Sequence, residues 1–255
     1  MMKKTTVALA LAATMVTGSA MAWTAGGPGG SFEFGGTLTP PPSANPWEVM
    51  VGSATVLDSA IKPGDKSVDI PVTKPITALG IRTTTNAPFA GQMGISPQID
   101  YSNMLGATWD KGYTDMVLDV KNDQGAKIGT LKTRVLAAAV SSNHFTQQAL
   151  YASDPGMAFY GGLSSSSNQV IDSVSKAISL LNQVNPEIIA KYNSQSDNDT
   201  LGATFEKFSS PTDTYSGFYG SGIPMNSNMK LELDTAAGNT TISWKASMPV
   251  TVFYQ

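Results

Sequence analysis

The chain has 255 residues, a formal net charge of −3 and no cysteine. Thiolate metal sites, redox motifs and Cys nucleophiles are therefore excluded together, and nothing basic is gathered into a footprint for nucleic acid. A single histidine, His144, is too few for a metal centre built on paired imidazoles.

The first residues, MMKKTTVALALAATMVTGSAMA, place Lys3 and Lys4 before a short apolar run (Val7 to Val16) and end on the small-x-small site Ala20-Met21-Ala22. That is a secretory signal peptide over residues 1–22, too short in its apolar part to span a bilayer as a helix. Export is expected, with Trp23 as the mature N-terminus. What remains suits one all-β domain or two small ones, and a domain of that size needs no disulfide to be stable.

A strand pattern follows in GGSFEFGGTLTP. Phe32, Phe34, Gly36 and Leu38 fall on one side of an extended chain, and Ser31, Glu33, Gly35 and Thr37 on the other. WTAGGPGG precedes it and TPPPSANP follows, so residues 23–42 read as an amphipathic strand on a tether. The Pro40–Pro42 run favours extended geometry leading away from a body.

Short alternating runs then recur between turn signals. WEVMVG puts Trp47, Val49 and Val51 on one face; SVDIPV does so with Val68, Ile70 and Val72. ITALGIRT (76–83), ISPQIDYS (95–102) and DMVLDVK (115–121) are further strands. The last turns through Asn122–Gly125 into KIGTLKTRVLAAAV. GMAFYGGL (156–163) and MKLELD are also expected as strands, and Ala236–Asn239 as a second hairpin turn into TTISWKASMPVTVFYQ. Many short strands punctuated by Gly, Pro and Asn predict an all-β fold, a β-sandwich.

NQVIDSVSKAISLLNQVNPEIIAKY breaks the rhythm, with Val170/Ile171, Val174, Ala177/Ile178 and Leu181 at helical spacing. Asn185-Pro186-Glu187 reads as an N-cap, a first-turn proline and an early acid opening a second short helix, to about Tyr192. A small helical insertion, about 164–200, is expected, ending in the polar loop NSQSDNDTLG. Inserts on a rigid sheet often recognise ligands; the plainer alternative is that this one caps an open end of the sandwich.

Signs of catalysis are thin. Ser141 or Ser142 beside His144 is the kind of neighbourhood any Ser-rich chain offers, and no G-x-S-x-G elbow occurs. GGPGG is followed by neither Lys-Ser/Thr nor a helix. Asp197 and Asp199 read as solvated. The expectation is no enzyme, no metal and no cofactor.

The two ends belong together. In SMPVTVFYQ, Met248, Val250, Val252 and Tyr254 share one face, and an edge there can be paired by another protein; the plainer alternative is a terminal core strand. A free amphipathic strand at the start invites addition to a sheet edge. Entering the next identical subunit makes a heterologous contact that propagates as a filament, and an open edge needs a custodian until then.

The blocks SAMAW, SFEFGGTLT, PWEVMVG, GISPQIDY, VKNDQGAKIGTLK, FYGGL and ASMPVTVFYQ run in the order seen in a known family: the chain resembles the K88-like fimbrial subunits of the chaperone–usher pathway. The resemblance implies an incomplete immunoglobulin-like β-sandwich over residues 43–255, complemented by a donor strand. A periplasmic chaperone lends the missing strand first. At the outer-membrane usher, the N-terminal extension of another fimbrial subunit replaces it, and the product is a fimbrium on the cell surface. Phe32, Phe34, Gly36 and Leu38 are then the donor face, with glycine where the groove is tightest, and Val250, Val252 and Tyr254 the chaperone-facing C-terminal strand. One departure is Ile242, where many pilins carry a glycine.

Major subunits of this family are themselves adhesive, which implies a host glycan receptor bound by the inserted region. Tyr192, Phe208, Tyr215, Phe218 and Tyr219 are the aromatics there that a sugar could stack on; as residue types they are more often core. Two other readings stay open: a minor, non-adhesive subunit of the same organelle, and a monomeric exported carbohydrate-binding or hydrolytic β-domain.

Overall fold

The computed structural model describes residues 45–255 together with Phe34 and Gly36. The signal peptide, most of the N-terminal extension, Phe32 and Leu38 lie outside the described residues. Nine strands precede the insertion: β1 (Trp47–Val51), β2 (Ser67–Pro71), β3 (Ile76–Thr83), β4 (Phe89–Ala90), β5 (Pro97–Asp100), β6 (Leu105–Asp110), β7 (Tyr113–Lys121), β8 (Lys127–Asn143) and β9 (Gln147–Leu150). Helix α1 (Val174–Val184) and a 3₁₀ turn (Pro186–Ile188) come next, followed by β10 (Asp199–Thr204), β11 (Thr214–Ile223), β12 (Asn228–Leu233), β13 (Lys245–Ala246) and β14 (Thr251–Tyr254).

The organising element is β8, 17 residues long. Its first half pairs with β7 on one edge and β12 on the other; its second half pairs with β9 and β11. One strand thus belongs to both ends of the sandwich. The β7–β8 connection is the expected hairpin. Asn122 accepts from the N–H groups of Gln124 and Ala126 (3.0 Å each), and Gly125 takes φ +80°; a short amide side chain that bonds its own turn, followed by glycine, is what such a connection needs.

Three packed regions result. Trp47, Leu79, Ile81, Ile99, Tyr219 and Phe208 centre the first. Ile70, Leu118, Val120, Leu131 and Met229 centre the second, between β2, β7, β8 and β12. The third lies under α1, whose Val174, Ala177, Leu181 and Val184 meet Leu136, Val140 and Phe218. Helix α1 covers the outer face of β8 and β11, so the insertion is a layer over a sheet face.

Local chemistry sets the helix ends. Ser173 caps the start by accepting from Lys176 N–H at 3.4 Å. Asn185 serves twice: its N–H reaches Leu181 O (2.7 Å), closing the helix, and its side chain accepts from Glu187 N–H (3.0 Å), opening the 3₁₀ turn. The expected second helix is only that turn, and Val170 and Ile171 are buried ahead of α1.

Four further expectations are corrected. GMAFYGGL is a series of turns with one bridge, Gln98 to Tyr160, because Gly156, Phe159 and Gly161 all take positive φ. A Cβ on Gly161 would stand 2.0 Å from Ile99 O, so the chain passes too close there for any side chain. Ala236–Asn239 is not a hairpin: Ala237 bonds back to Gly64 and Asp65, and the chain beyond lies along β7 instead of β12. In β1, Trp47 is buried, but Val49 and Val51 are 41% and 58% exposed, since this edge strand leaves the core after its first residue. The polar loop NSQSDNDTLG gives way at Asp199 to β10, which pairs parallel with β9.

Candidate functional site

Beyond Val51 the chain leaves its ladder. Gly52 N–H to Ala78 O (3.0 Å) is the last bond of that edge, and residues 53–62 form no strand. Opposite runs the C-terminal segment. From Thr241 to Gln255 every second residue is half-buried and the rest are exposed: Ile242, Trp244, Ala246, Met248, Val250, Val252 and Tyr254 face in. The segment is extended throughout, yet among the described residues it is laddered only twice, by β7 at 245–246 and by β5 at 251–254.

Between these two walls lies a cleft of about 990 Å³. Its floor is apolar, built from Ile76 of β3, Met116 and Leu118 of β7, Leu131 and Val135 of β8, Ile223 of β11 and Met229 of β12. A second hollow of about 360 Å³ shares Ser59, Thr241, Ile242 and Trp244 with it and reaches Val68, Ile70, Leu231 and Leu233. Met116, Leu118, Leu131, Val135, Ile223 and Met229 are each at most 5% exposed, so the cleft is narrow and its walls lean over them. This is the second packed region seen from its unfinished side.

The outer wall offers more than apolar side chains. Gln255 exchanges both main-chain hydrogen bonds with Ser96 (3.0 and 3.1 Å), so Phe253 and Thr251, two and four residues earlier, turn the same way, toward Gln98 and Asp100 of β5. Ile99, between those two, sends its N–H to Tyr160 O (2.8 Å), away from β14. Val250, Val252 and Tyr254 therefore point their N–H and C=O groups to the opposite edge, while their side chains pack on the first core. Among the described residues no strand pairs that edge. Pro249 falls in the phase of Thr251, Phe253 and Gln255, whose backbone groups turn toward the β5 side, so its missing N–H costs the open edge nothing.

The donor-face residues that are described are placed simply. Phe34 is 88% exposed, and Gly36 is exposed with φ outside the left-handed region.

The aromatics of the inserted region require a correction. Phe208, Phe218 and Tyr219 are fully buried and Tyr215 is 4% exposed. Trp47 packs on Phe208 at 5.0 Å, Phe159 stacks on Tyr219 at 5.6 Å, and Phe208 meets Tyr215 edge-on at 5.4 Å. A sugar needs an open ring face, and these four have none. Tyr192 keeps partial exposure, but its ring meets Phe218 edge-on at 5.0 Å and its hydroxyl donates to Gln147 Oε1 (3.0 Å). Burial raises its pKa.

Tyr101, which sequence reasoning passed over, lies at the centre of the first core. Its hydroxyl meets those of Tyr219 (2.9 Å) and Ser221 (2.6 Å), and burial pushes its pKa up to about 12. Both phenols stay neutral and satisfied, so the cluster fixes packing instead of moving protons. His144 stands 3.6 Å from Asp213 through Nδ1, while the Ser142 hydroxyl donates to Asn193 O (2.5 Å) and not to the imidazole. Among the described residues no group of three or more His, Asp or Glu is placed to hold a metal ion.

A sequence model described as "Fimbrial, major and minor subunit" matches residues 2–255. K88 fimbrial protein AB of Escherichia coli is 31% identical over 183 residues, 64% of this chain and 64% of that protein. K88 fimbrial protein AC of the same organism is 30% identical over 223 residues, covering 79% of this chain and 75% of that protein. K88 fimbrial protein AD is 30% identical over 183 residues, again 64% of each. The matches thus span just under two thirds of the AB and AD proteins. With an all-β sandwich, a helical insertion and an unfinished edge already described, the chain belongs to the family of K88 fimbrial major and minor subunits.

Proposed function

We propose that this protein polymerises by donor-strand exchange: the N-terminal extension of one subunit fills the cleft of the next. The observation that carries this reading is the cleft itself, apolar below and bordered by the C-terminal segment as far as Val250, with the unpaired N–H and C=O groups continuing in phase beyond it to Val252 and Tyr254. An added strand gains main-chain bonds from that edge and buries alternate side chains below. Phe32, Phe34, Gly36 and Leu38 supply such a side-chain set. Before assembly, a periplasmic chaperone occupies the same edge against Val250, Val252 and Tyr254, and an outer-membrane usher exchanges it for the donor. Residues 1–22 direct export, 23–42 form the donor extension, and 43–255 form the receiving domain, which is displayed on the cell-surface fimbrium.

Deleting residues 23–40 should leave a subunit that binds its chaperone but joins no fibre as a donor. Electron microscopy and sedimentation of the products check this, and fibres of normal length from that deletion would defeat the assignment.

Attachment to host glycoconjugates is the adhesive part of the proposal. A fibre subunit that binds no receptor is the second reading, favoured by the burial of Phe208, Tyr215, Phe218 and Tyr219. Adherence of cells bearing fimbriae made of this chain alone, compared with non-fimbriate cells, separates the two.

A further inference from the structure

The turn between β8 and β9 carries an exposed aromatic on a rigid mount. Asn143 Oδ1 accepts from Phe145 N–H (2.9 Å) and Thr146 N–H (3.1 Å), while Phe145 O accepts from Ser196 Oγ (3.0 Å) and Asn198 Nδ2 (3.4 Å). The His144 ring lies 3.6 Å from the Phe145 ring, centroid to centroid. Held in this way, Phe145 is still 66% exposed. Thr146 ties the turn to β10, its hydroxyl lying 2.8 Å from both Asn198 O and the Thr200 hydroxyl. The residue after Thr200 is Leu201, which is 98% exposed. Between Asp199 and Ala203 the β9–β10 register shifts, and Gly202 takes φ +81°. Such a bulge breaks the regular ladder that an added strand would need. A partner here meets side chains instead of main chain.

The charge around these two side chains has one sign. Asp197 and Asp199 flank Asn198, whose amide bonds Phe145 O, and Asp213 stands 3.6 Å from His144 Nδ1. Among the described residues, none of the three carboxylates is within ion-pair distance of a lysine or arginine. Glu48, Asp119 and Glu232, by contrast, are each matched by one. An unmatched acidic rim repels a second copy of the same surface and draws in cations within roughly 8 Å at physiological salt. Apolar groups already fixed in place lose little freedom when a partner covers them.

We propose that Phe145 and Leu201, rimmed by Asp197, Asp199 and Asp213, form a docking surface for a basic peptide segment with apolar side chains, carried by a protein other than this one. The surface is far from the cleft: Val135 of the floor and Asn143 at the turn are eight residues apart along β8, about 26 Å at about 3.3 Å per residue. A strand in the cleft does not cover it, and the inference is independent of donor-strand exchange.

The test titrates labelled peptides with the full chain and reads fluorescence anisotropy. The probe is an amphipathic Lys/Leu peptide, compared with Glu/Leu and Lys/Ser peptides of equal length. The Lys/Leu peptide should bind about tenfold more tightly than either, and more weakly as salt rises. Phe145→Ser and Leu201→Ser should each lower its affinity about tenfold. Asp197→Asn with Asp199→Asn should flatten the salt dependence. Urea midpoints of all these variants should stay near that of the natural chain. Equal binding of the Lys/Leu and Glu/Leu peptides overturns the proposal. So does a Lys/Leu affinity that Phe145→Ser and Leu201→Ser leave intact, because the peptide then sits elsewhere, as in the cleft. Sedimentation and a panel of neoglycoproteins examine the other occupants. Self-association abolished by Leu201→Ser assigns the surface to a second copy, a sugar bound through Phe145 assigns it to glycan, and either result overturns the proposal.

Discussion

Glu206 shows how a single residue reads out the fold. Its carboxylate accepts from Lys207 and Phe208 N–H (2.8 and 3.2 Å) and from Gln148 Nε2 (3.3 Å), yet burial, with Asp213 nearby, raises its pKa above the ordinary 4.5. A folded-state pKa above the unfolded one means that ionisation opposes folding. The cost is present above the folded pKa and disappears as pH falls toward 4.5. Glu206→Gln should therefore raise the urea midpoint at pH 7, and its advantage should vanish by pH 4.5; midpoints measured across that range check the sign. Gly36 poses the opposite case. Its φ lies outside the left-handed region, so the chain's own backbone conformation does not ask for glycine. On the donor-strand reading, Gly36→Leu should cut polymer yield at least about tenfold, about 1.4 kcal/mol, while leaving the subunit's own unfolding midpoint unchanged. Sedimentation and urea titration of the same preparation separate the two effects.

At the scale of elements, alternation in the sequence was readable wherever one face of a strand is covered and the other wet. β7 is the clearest case, with Thr114, Met116, Leu118 and Val120 in and their neighbours out. β11 is covered on both faces, by the first core and by α1, so all but its first residue are buried, and its aromatics follow the core alternative instead of the sugar-stacking one. A second layer is a tertiary fact, and period two does not reveal it. The helix was legible because its stripe of Val174, Ala177, Leu181 and Val184 is so regular; its start was set later than the pattern suggests by Ser173. GMAFYGGL was misread because a turn built on Phe159 at φ +63° carries no sequence signal that separates it from a strand. Leu181 is the most informative probe of the layer. It is fully buried, and a Cβ on Gly220 of β11 would lie 2.8 Å from its Cδ2, so helix and sheet are in intimate contact there. Leu181→Ala should cost about 2–5 kcal/mol, read as a lowered urea midpoint.

For the whole molecule, the decisive feature is that one of its packed regions is unfinished on one side. Both walls of the cleft were in view in the sequence, as an alternating C-terminus and a strand that ends at Val51, but not their opposition across a common floor. That requires the ladder order, which long-range pairing alone decides.

β8 gives that open edge a consequence for how the protein comes apart. Leu131 and Val135 belong to the floor of the cleft, while Ala137 and Ala139, a few residues along, belong to the first core, and Leu136 and Val140 to the layer under α1. No seam divides these regions, because a single uninterrupted strand threads all three. A change at the cleft is then not local, because it reaches the strand on which all three regions are hung. Calorimetry of the isolated subunit should accordingly show one melting transition, with equal calorimetric and van't Hoff enthalpies, and occupation of the cleft should move that single peak upward without splitting it. A neighbour that seats its strand in the cleft would act as the keystone of the entire domain.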